Sequence, residues 1–337
     1  MRQIIRYAPP GQEDIMSHQE YCLLRRGWAL QERLLSHRFL SFRFDRMQWE
    51  CNTCCYSDDL ECPFTIDFDH TSQAKKRSMR GLKDATGIFS YWREIIETYS
   101  DCKLSERTDK LPALSGLAHA FSTILHDTYV AGIWRNDIHH GLSWSVSSSN
   151  KELNSSRIVE ESPLAYRAPS WSWASTDSCI FFHRYFQCQP YNDLVIISID
   201  TRTQGLDAFG QVMCGTLHVS GRLRKGIVQG ANERQSTGFN VGSAHEQNSS
   251  VGTLYPDHVQ LIKRLQGVER GQKSVMALLI SYSTDDGGTW VALALEQIAG
   301  EGKDLIFQRI GLIKNKESDM EGNDWFEHSE RKAVRIV

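Results

Sequence analysis

Residues 26–51 read RGWALQERLLSHRFLSFRFDRMQWEC. Trp28, Leu30, Leu34 and Leu35 recur there at the spacing of a short amphipathic helix over Gly27–Leu35, with the polar side chains of Gln31 and Arg33 filling the gaps. The runs 39–44 (FLSFRF) and 47–51 (MQWEC) alternate like short strands, and Asp45 and Arg46 between them suit a tight turn. A helix followed by a hairpin is therefore expected at this end of the chain.

At 337 residues the sequence is long enough for one large or two ordinary domains, each burying a substantial core. Its 40% hydrophobic and 23% charged residues are ordinary globular values, which argues against disorder as the default. The formal net charge of -3 favours neither nucleic acid nor an anionic membrane surface as a partner. Apolar runs such as 275–280 and 290–295 fall far short of the ~20 residues that a membrane helix requires. Residues 1–11 carry two arginines but no apolar stretch of signal-peptide length. Nine cysteines, an odd number scattered along the chain, then read as reduced thiols and imply a cytoplasmic protein.

Further along, residues 52–83 are polar and without periodicity, which predicts a long surface loop. Ile88, Tyr91, Trp92, Ile95, Ile96 and Tyr99 mark the apolar stripe of one helix. Leu114, Leu117, Ala118, Phe121 and Leu125 mark a second, with Pro112 suited to its first turn. A third helical segment is expected over 130–144, ended by a serine-rich loop at 147–156. From Tyr166 the texture turns to short β-type runs at 170–174, 193–200, 215–223, 275–282, 289–295 and 305–313, interrupted by a glycine-rich stretch, 224–273, that reads as an insertion loop.

Arg26, Trp28, Leu30, Gln31, Glu32, Arg33, Leu34, Leu35, Ser36, Trp49, Glu50 and Cys51 resemble the closing segment of the fungal heterokaryon-incompatibility (HET) domain family, whose members run approximately R-x-W-x-L-Q-E-R-L-L-S, a short strand, then W-E-C. The resemblance continues, in the usual order, through 92–100 (WREIIETYS), 109–118 (DKLPALSGLA), 129–134 (YVAGIW) and 166–174 (YRAPSWSWA), and more weakly through 308–313 (QRIGLI). HET domains open with a tyrosine-serine-tryptophan strand and an aspartate-cysteine-asparagine-glutamine segment, and this sequence starts after both. The resemblance thus implies the C-terminal portion of a HET-domain protein lacking the N-terminal half of that domain. Such proteins act in nonself recognition and regulated cell death.

The expected fold class is α+β: the remnant of a TIR-like α/β HET domain at 1–56, a loop at 57–83, a helical region at 84–165, and a β-rich C-terminal half at 166–337 forming a sheet or open barrel. HET domains are similar to TIR domains, several of which cleave NAD with a helical glutamate four residues after a tryptophan. Trp28 and Glu32 have that spacing, which puts them on one helix face. Glu32, with Trp28, is accordingly the candidate catalytic residue, against the plainer reading in which Trp28 fills core and Glu32 makes a local cap or salt bridge. NAD enters only as a substrate of the intact domain. With half of the domain absent, the chain alone is expected to lack catalytic activity and to need no cofactor, and its partners are expected to be proteins.

Other chemistry is weaker. Among Cys51, Cys54, Cys55, Cys62 and His70 only Cys51 and Cys54 have C-x2-C spacing, without the second pair that a structural zinc site needs, so no metal site is assigned. Residues 283–290, STDDGGTW, match the Asp box of sialidases once, which raises a glycan-binding or glycan-processing β protein as an alternative, whereas a plain hairpin turn needs no ligand. A regulatory interaction module for full-length HET proteins is a second alternative. Trp171 and Trp173 alternate with serines, as on one face of a strand that packs into core.

Overall fold

The computed structural model describes residues 25–42, 47–52, 54–57, 84–146, 166–183, 191–231, 238–243, 250–258, 261–262, 265, 273–283, 289–300, 305–315 and 325–337. The chain divides into two compact units, 1–106 and 107–337. Its class is α+β, with a large antiparallel sheet.

In the first unit, helix α1 (Gly27–Leu35) is followed by three antiparallel strands, β1 (Arg38–Phe42), β2 (Met47–Cys51) and β3 (Cys55–Ser57). The helix and hairpin stand where the sequence puts them. Strand β3 lies at the start of the stretch expected to be loop, and residues 58–83 of that stretch lie outside the described residues. Helix α2 (Ala85–Ser100) begins at Asp84, whose Oδ1 accepts the Gly87 N–H at 2.7 Å, and buries the expected stripe from Ile88 to Tyr99. Beyond it, Lys103 O accepts the Gly27 N–H at 3.0 Å and ties the end of α2 to the start of α1.

The second unit opens with helix α3 (Ser115–Leu125), preceded by a 3-10 turn at Pro112–Leu114 that holds the expected proline. The third helix expected over 130–144 is not formed. Strands β4 (Tyr129–Val130) and β5 (Ile133–Trp134) make a minimal hairpin there, followed by the single helical turn α4 (Ile138–Gly141). The cause is local: Ala131 and Gly132 take positive φ, 46° and 96°, the conformation of a two-residue hairpin turn and not of a helix.

Strand β6 (Trp144–Val146) then pairs with β7 (Ile180–Phe182). The remaining strands are β8 (Tyr191–Asn192), β9 (Val195–Thr203), β10 (Val212–Ala231), β11 (Phe239–Ser243), β12 (Ser250–Pro256), β13 (Lys273–Tyr282), β14 (Trp290–Ala299), β15 (Ile306–Lys314) and β16 (Arg331–Ile336), which form one sheet. Six of them close on themselves: β10 pairs with β11, β11 with β12, β12 with β15, β15 with β14, β14 with β13, and β13 again with β10, every pair antiparallel. A single apolar cluster draws Val228, Phe239, Val241, Leu254, Val275, Ala277, Trp290, Ala292 and Ile313 from all six strands, as the interior of a closed ring must.

The ring overturns the insertion loop expected over 224–273, because β10 runs on to Ala231 and both β11 and β12 lie inside that stretch. One of its glycines marks a close backbone approach. A Cβ at Gly252 would stand 2.6 Å from Lys314 O, across the β12–β15 seam that closes the ring. The strand expected at 170–174 is also absent, replaced by a turn and the 3-10 turn Trp173–Ser175. Ser172 Oγ diverts the backbone by accepting the Ala174 N–H at 3.0 Å while donating to Ala131 O at 2.6 Å. Trp171 and Trp173 are fully buried all the same.

Candidate functional site

Helix α1 and strand β2 meet through one ion pair. Arg33 Nε donates to Glu50 Oε2 at 2.7 Å and its Nη2 to Oε1 at 2.9 Å, a bidentate clamp with both side chains about nine-tenths buried. Gln48 Nε2 adds a 3.3 Å hydrogen bond to Oε1. The buried face of α1 is thus Ala29, Leu30 and Arg33, rotated from the Trp28, Leu30, Leu34 stripe expected from spacing. Arg33 can lie inward because a carboxylate waits there.

Trp28 and Glu32 fall on the opposite side. Trp28 is 40% exposed and Glu32 is exposed, so in this chain the indole does not wall the carboxylate off from water. Arg26 is exposed and precedes α1 without capping it, Gln31 is half-buried, and Trp49 is half-buried on β2. Leu40, Trp49 and Tyr56 stand opposite one another across the three strands, as do Phe42 and Met47, so all five share a face. Of these, Leu40, Phe42, Met47 and Tyr56 are exposed, Phe42 at 75%. Cys51, half-buried, ends β2 beside Glu50, with its thiol 3.3 Å from that of Cys54.

In the second unit the segments that resemble HET-associated sequence pack on one another. Trp173 Nε1 donates to Gly132 O at 3.0 Å, the Lys110 ammonium stands 5.9 Å from the Trp173 ring, and Arg167 Nε donates to Ala174 O at 2.7 Å. A Cβ on Gly132 would lie 2.5 Å from Trp173 Nε1, so glycine is required there by contact as well as by φ. Arg309, fully buried on β15, donates to Leu142 O at 2.7 Å and Trp144 O at 2.6 Å, lies 3.6 Å from the Trp144 ring centre, and pairs with Asp257 at 2.9 Å. Burial pushes the Asp257 carboxyl up and the Arg309 guanidinium down, each against the pull of its partner.

A second buried cluster was not anticipated. Ser145 Oγ lies 2.8 Å from His183 Nε2, and Lys314 Nζ lies 2.9 Å from His183 Nδ1 and 4.4 Å from the Tyr255 ring centre. It has the outline of a serine-histidine nucleophile, but a protonated Lys314 turns the imidazole the wrong way for a base. When Lys314 is protonated it donates to Nδ1, which leaves the proton on Nε2 and makes the Ser145 oxygen the acceptor. With Ser145 fully buried as well, its hydroxyl is a structural partner of His183 and not an attacking group. Burial, then the Lys314 and Arg309 charges, hold the His183 pKa down at about 3, and burial holds Lys314 at about 7. Lys314 stands directly after the QRIGLI segment and opens the polar run KNKESD, where it looks like an ordinary solvated lysine; His183 follows the apolar pair Phe181–Phe182 with no spacing signal.

Ser283 N donates to Thr289 O at 2.8 Å and closes the β13–β14 hairpin; residues 284–288 of the Asp-box match lie outside the described residues. Among the described residues no group of three or more His, Cys, Asp or Glu could hold a metal, and no helix is long and apolar enough to cross a membrane. Compared with known proteins, the chain matches no family model, no curated protein and no solved structure.

Proposed function

We propose that this chain is the closing segment of a TIR-like HET domain with its accompanying C-terminal region, a factor of the fungal nonself-recognition and cell-death type that works through protein partners. The observation that carries the reading is the pairing of its resembling segments. Arg33 and Glu50, seventeen residues apart and both in the HET-like stretch, clamp each other. YVAGIW and YRAPSWSWA interlock through Gly132 and Trp173, and QRIGLI reaches the core through Arg309. Residues with such mutual duties form a sequence pattern for architectural reasons, and a shared pattern then supports a shared architecture.

The exposed apolar face of Leu40, Phe42, Met47 and Tyr56 is the surface offered to a protein partner, since faces of this kind mark protein contacts. Alone, the chain is inactive toward NAD: Glu32 and Trp28 face solvent, whereas catalysis needs a carboxylate tuned by its surroundings and a substrate held against it.

The test uses three proteins expressed in a fungal host: this chain, the chain fused behind an opening HET half, and that fusion carrying Glu32→Ala. Viability and cellular NAD are followed. The chain alone should change neither and the fusion should kill. A fusion that leaves the cells healthy refutes the HET reading, and death with the chain alone refutes its inactivity. If the fusion with Glu32→Ala kills equally well, the family reading stands and the carboxylate mechanism falls.

A further inference from the structure

Cys51 ends β2, Cys54 immediately precedes β3, and the two residues face each other across the turn that joins these strands. The Cys51 N–H donates to Cys54 O at 2.9 Å, which continues the β2–β3 register by one position, to that of a hydrogen-bonded antiparallel pair. In such a pair the Cα atoms lie about 5.5 Å apart, inside the roughly 4.4–6.8 Å that a disulfide spans. The thiols already lie 3.3 Å apart, and closing that gap takes side-chain rotation with little backbone movement. Cys54 is exposed and Cys51 half-buried, so Cys54 is the more accessible of the two to a reagent from solvent.

We propose that Cys51 and Cys54 form a thiol-disulfide exchange site, whose substrate class is a small-molecule disulfide of the glutathione type. Exposure assigns the order of events. The Cys54 thiolate attacks one sulfur of the small disulfide, whose S–S bond breaks and releases one small thiolate, leaving a mixed disulfide on Cys54. The Cys51 thiolate then attacks the Cys54 sulfur and expels the second small thiolate. Two protein thiols are oxidised by two electrons, the small disulfide is reduced to two thiols, and the two protons lost by the cysteines are taken up by the leaving thiolates.

The position gives the reaction a structural consequence. Cys51 follows Glu50, the anchor of Arg33, so the new bond would lock β2 to β3 one residue from the clamp. Oxidation at the turn should therefore slow local opening of the Arg33–Glu50 clamp.

The site can be tested by equilibrating the full chain with mixtures of reduced and oxidised glutathione, alkylating it, and mapping the modified cysteines by peptide mass. An internal Cys51–Cys54 disulfide should form with excess oxidised glutathione and revert with reduced glutathione, and hydrogen exchange at the amides of residues 50–55 should slow several-fold when it is present. Cys51→Ser should accumulate glutathione on Cys54, whereas Cys54→Ser should lose both products. Cys51 and Cys54 both remaining alkylatable after equilibration with the oxidant overturns the proposal, as does a wild-type chain that stops at the mixed disulfide. Cross-linking of either cysteine to a third one overturns it equally. The wild-type mapping decides the matter even if a serine variant folds poorly.

Discussion

Acid should loosen the second unit through His183 and Lys314. The folded His183 holds its pKa at about 3 against an ordinary 6.5, so between those values the unfolded chain binds a proton that the folded one refuses. Stability then falls as the pH drops through that window. Lys314 acts with the same sign higher up: folded it titrates at about 7, unfolded at 10.5, and stability rises with pH between the two. The Lys314 and Arg309 charges act on His183, and the Tyr255 ring lies against the Lys314 amine. At about 1.4 kcal/mol per pH unit, raising the pH from 4.5 to 6.5 should add on the order of 3 kcal/mol through His183. Raising it from 7 to 9 should add about as much through Lys314. Urea unfolding of the wild type, His183→Gln and Lys314→Met, each followed across this pH range, separates the two. Lys314→Met should abolish the alkaline gain and His183→Gln should flatten the acid loss. A wild type equally stable at pH 7 and 9, or a Lys314→Met protein that keeps the gain, would refute the reasoning.

Breaking the clamp by Glu50→Gln or Arg33→Met should destabilise the first unit by about 3–5 kcal/mol, because each leaves a buried charge without its partner; the double variant should recover part of the loss, both read by urea unfolding. Gly132→Ala should lower the melting temperature by an amount equivalent to more than ~1 kcal/mol, since its Cβ would strike the Trp173 indole, and an unchanged melt contradicts that contact. Dialysis against a strong chelator should leave the melting curve where it was; a downward shift, or zinc bound in stoichiometric amount to the purified protein, would mean that the cysteines of the 51–62 stretch hold a structural ion.

Periodicity carried the reading wherever a residue's fate is decided by its near neighbours. The stripes of α2 and α3 and the apolar runs of β13, β14 and β15 are of this kind, and each stands within a few residues of where spacing puts it. Spacing failed where a partner far along the chain decides. Arg33 reads as a polar gap until Glu50 is set against it, and 170–174 reads as a strand until Ser172 finds Ala131 O. Strand β12 looks like glycine-rich loop because Gly252 answers to backbone across the seam, and β16, with only Val334 and Ile336 buried, offers too short an alternation to recognise. The Ser145, His183 and Lys314 cluster has no sequence signature, since its members come from three strands or strand ends brought together only by the completed fold. The HET-like residues of α1 were legible as a pattern, while the inward turn of Arg33 and the outward turn of Trp28 and Glu32 required the hairpin.

Strand β10 has a further consequence for how the polypeptide is made. Residues 217–222 pair with 331–336 of β16, which leave the ribosome over a hundred residues later. At roughly 5–20 residues per second, that part of β10 waits several seconds or more for this partner, with one edge offering unpaired amides and carbonyls in the meantime. The six-stranded ring waits about half as long, because its closing seam joins β12 to β15. During translation the nascent second unit is therefore an open sheet for much of its synthesis, so slowing the ribosome between β10 and β16 should increase its demand for chaperones.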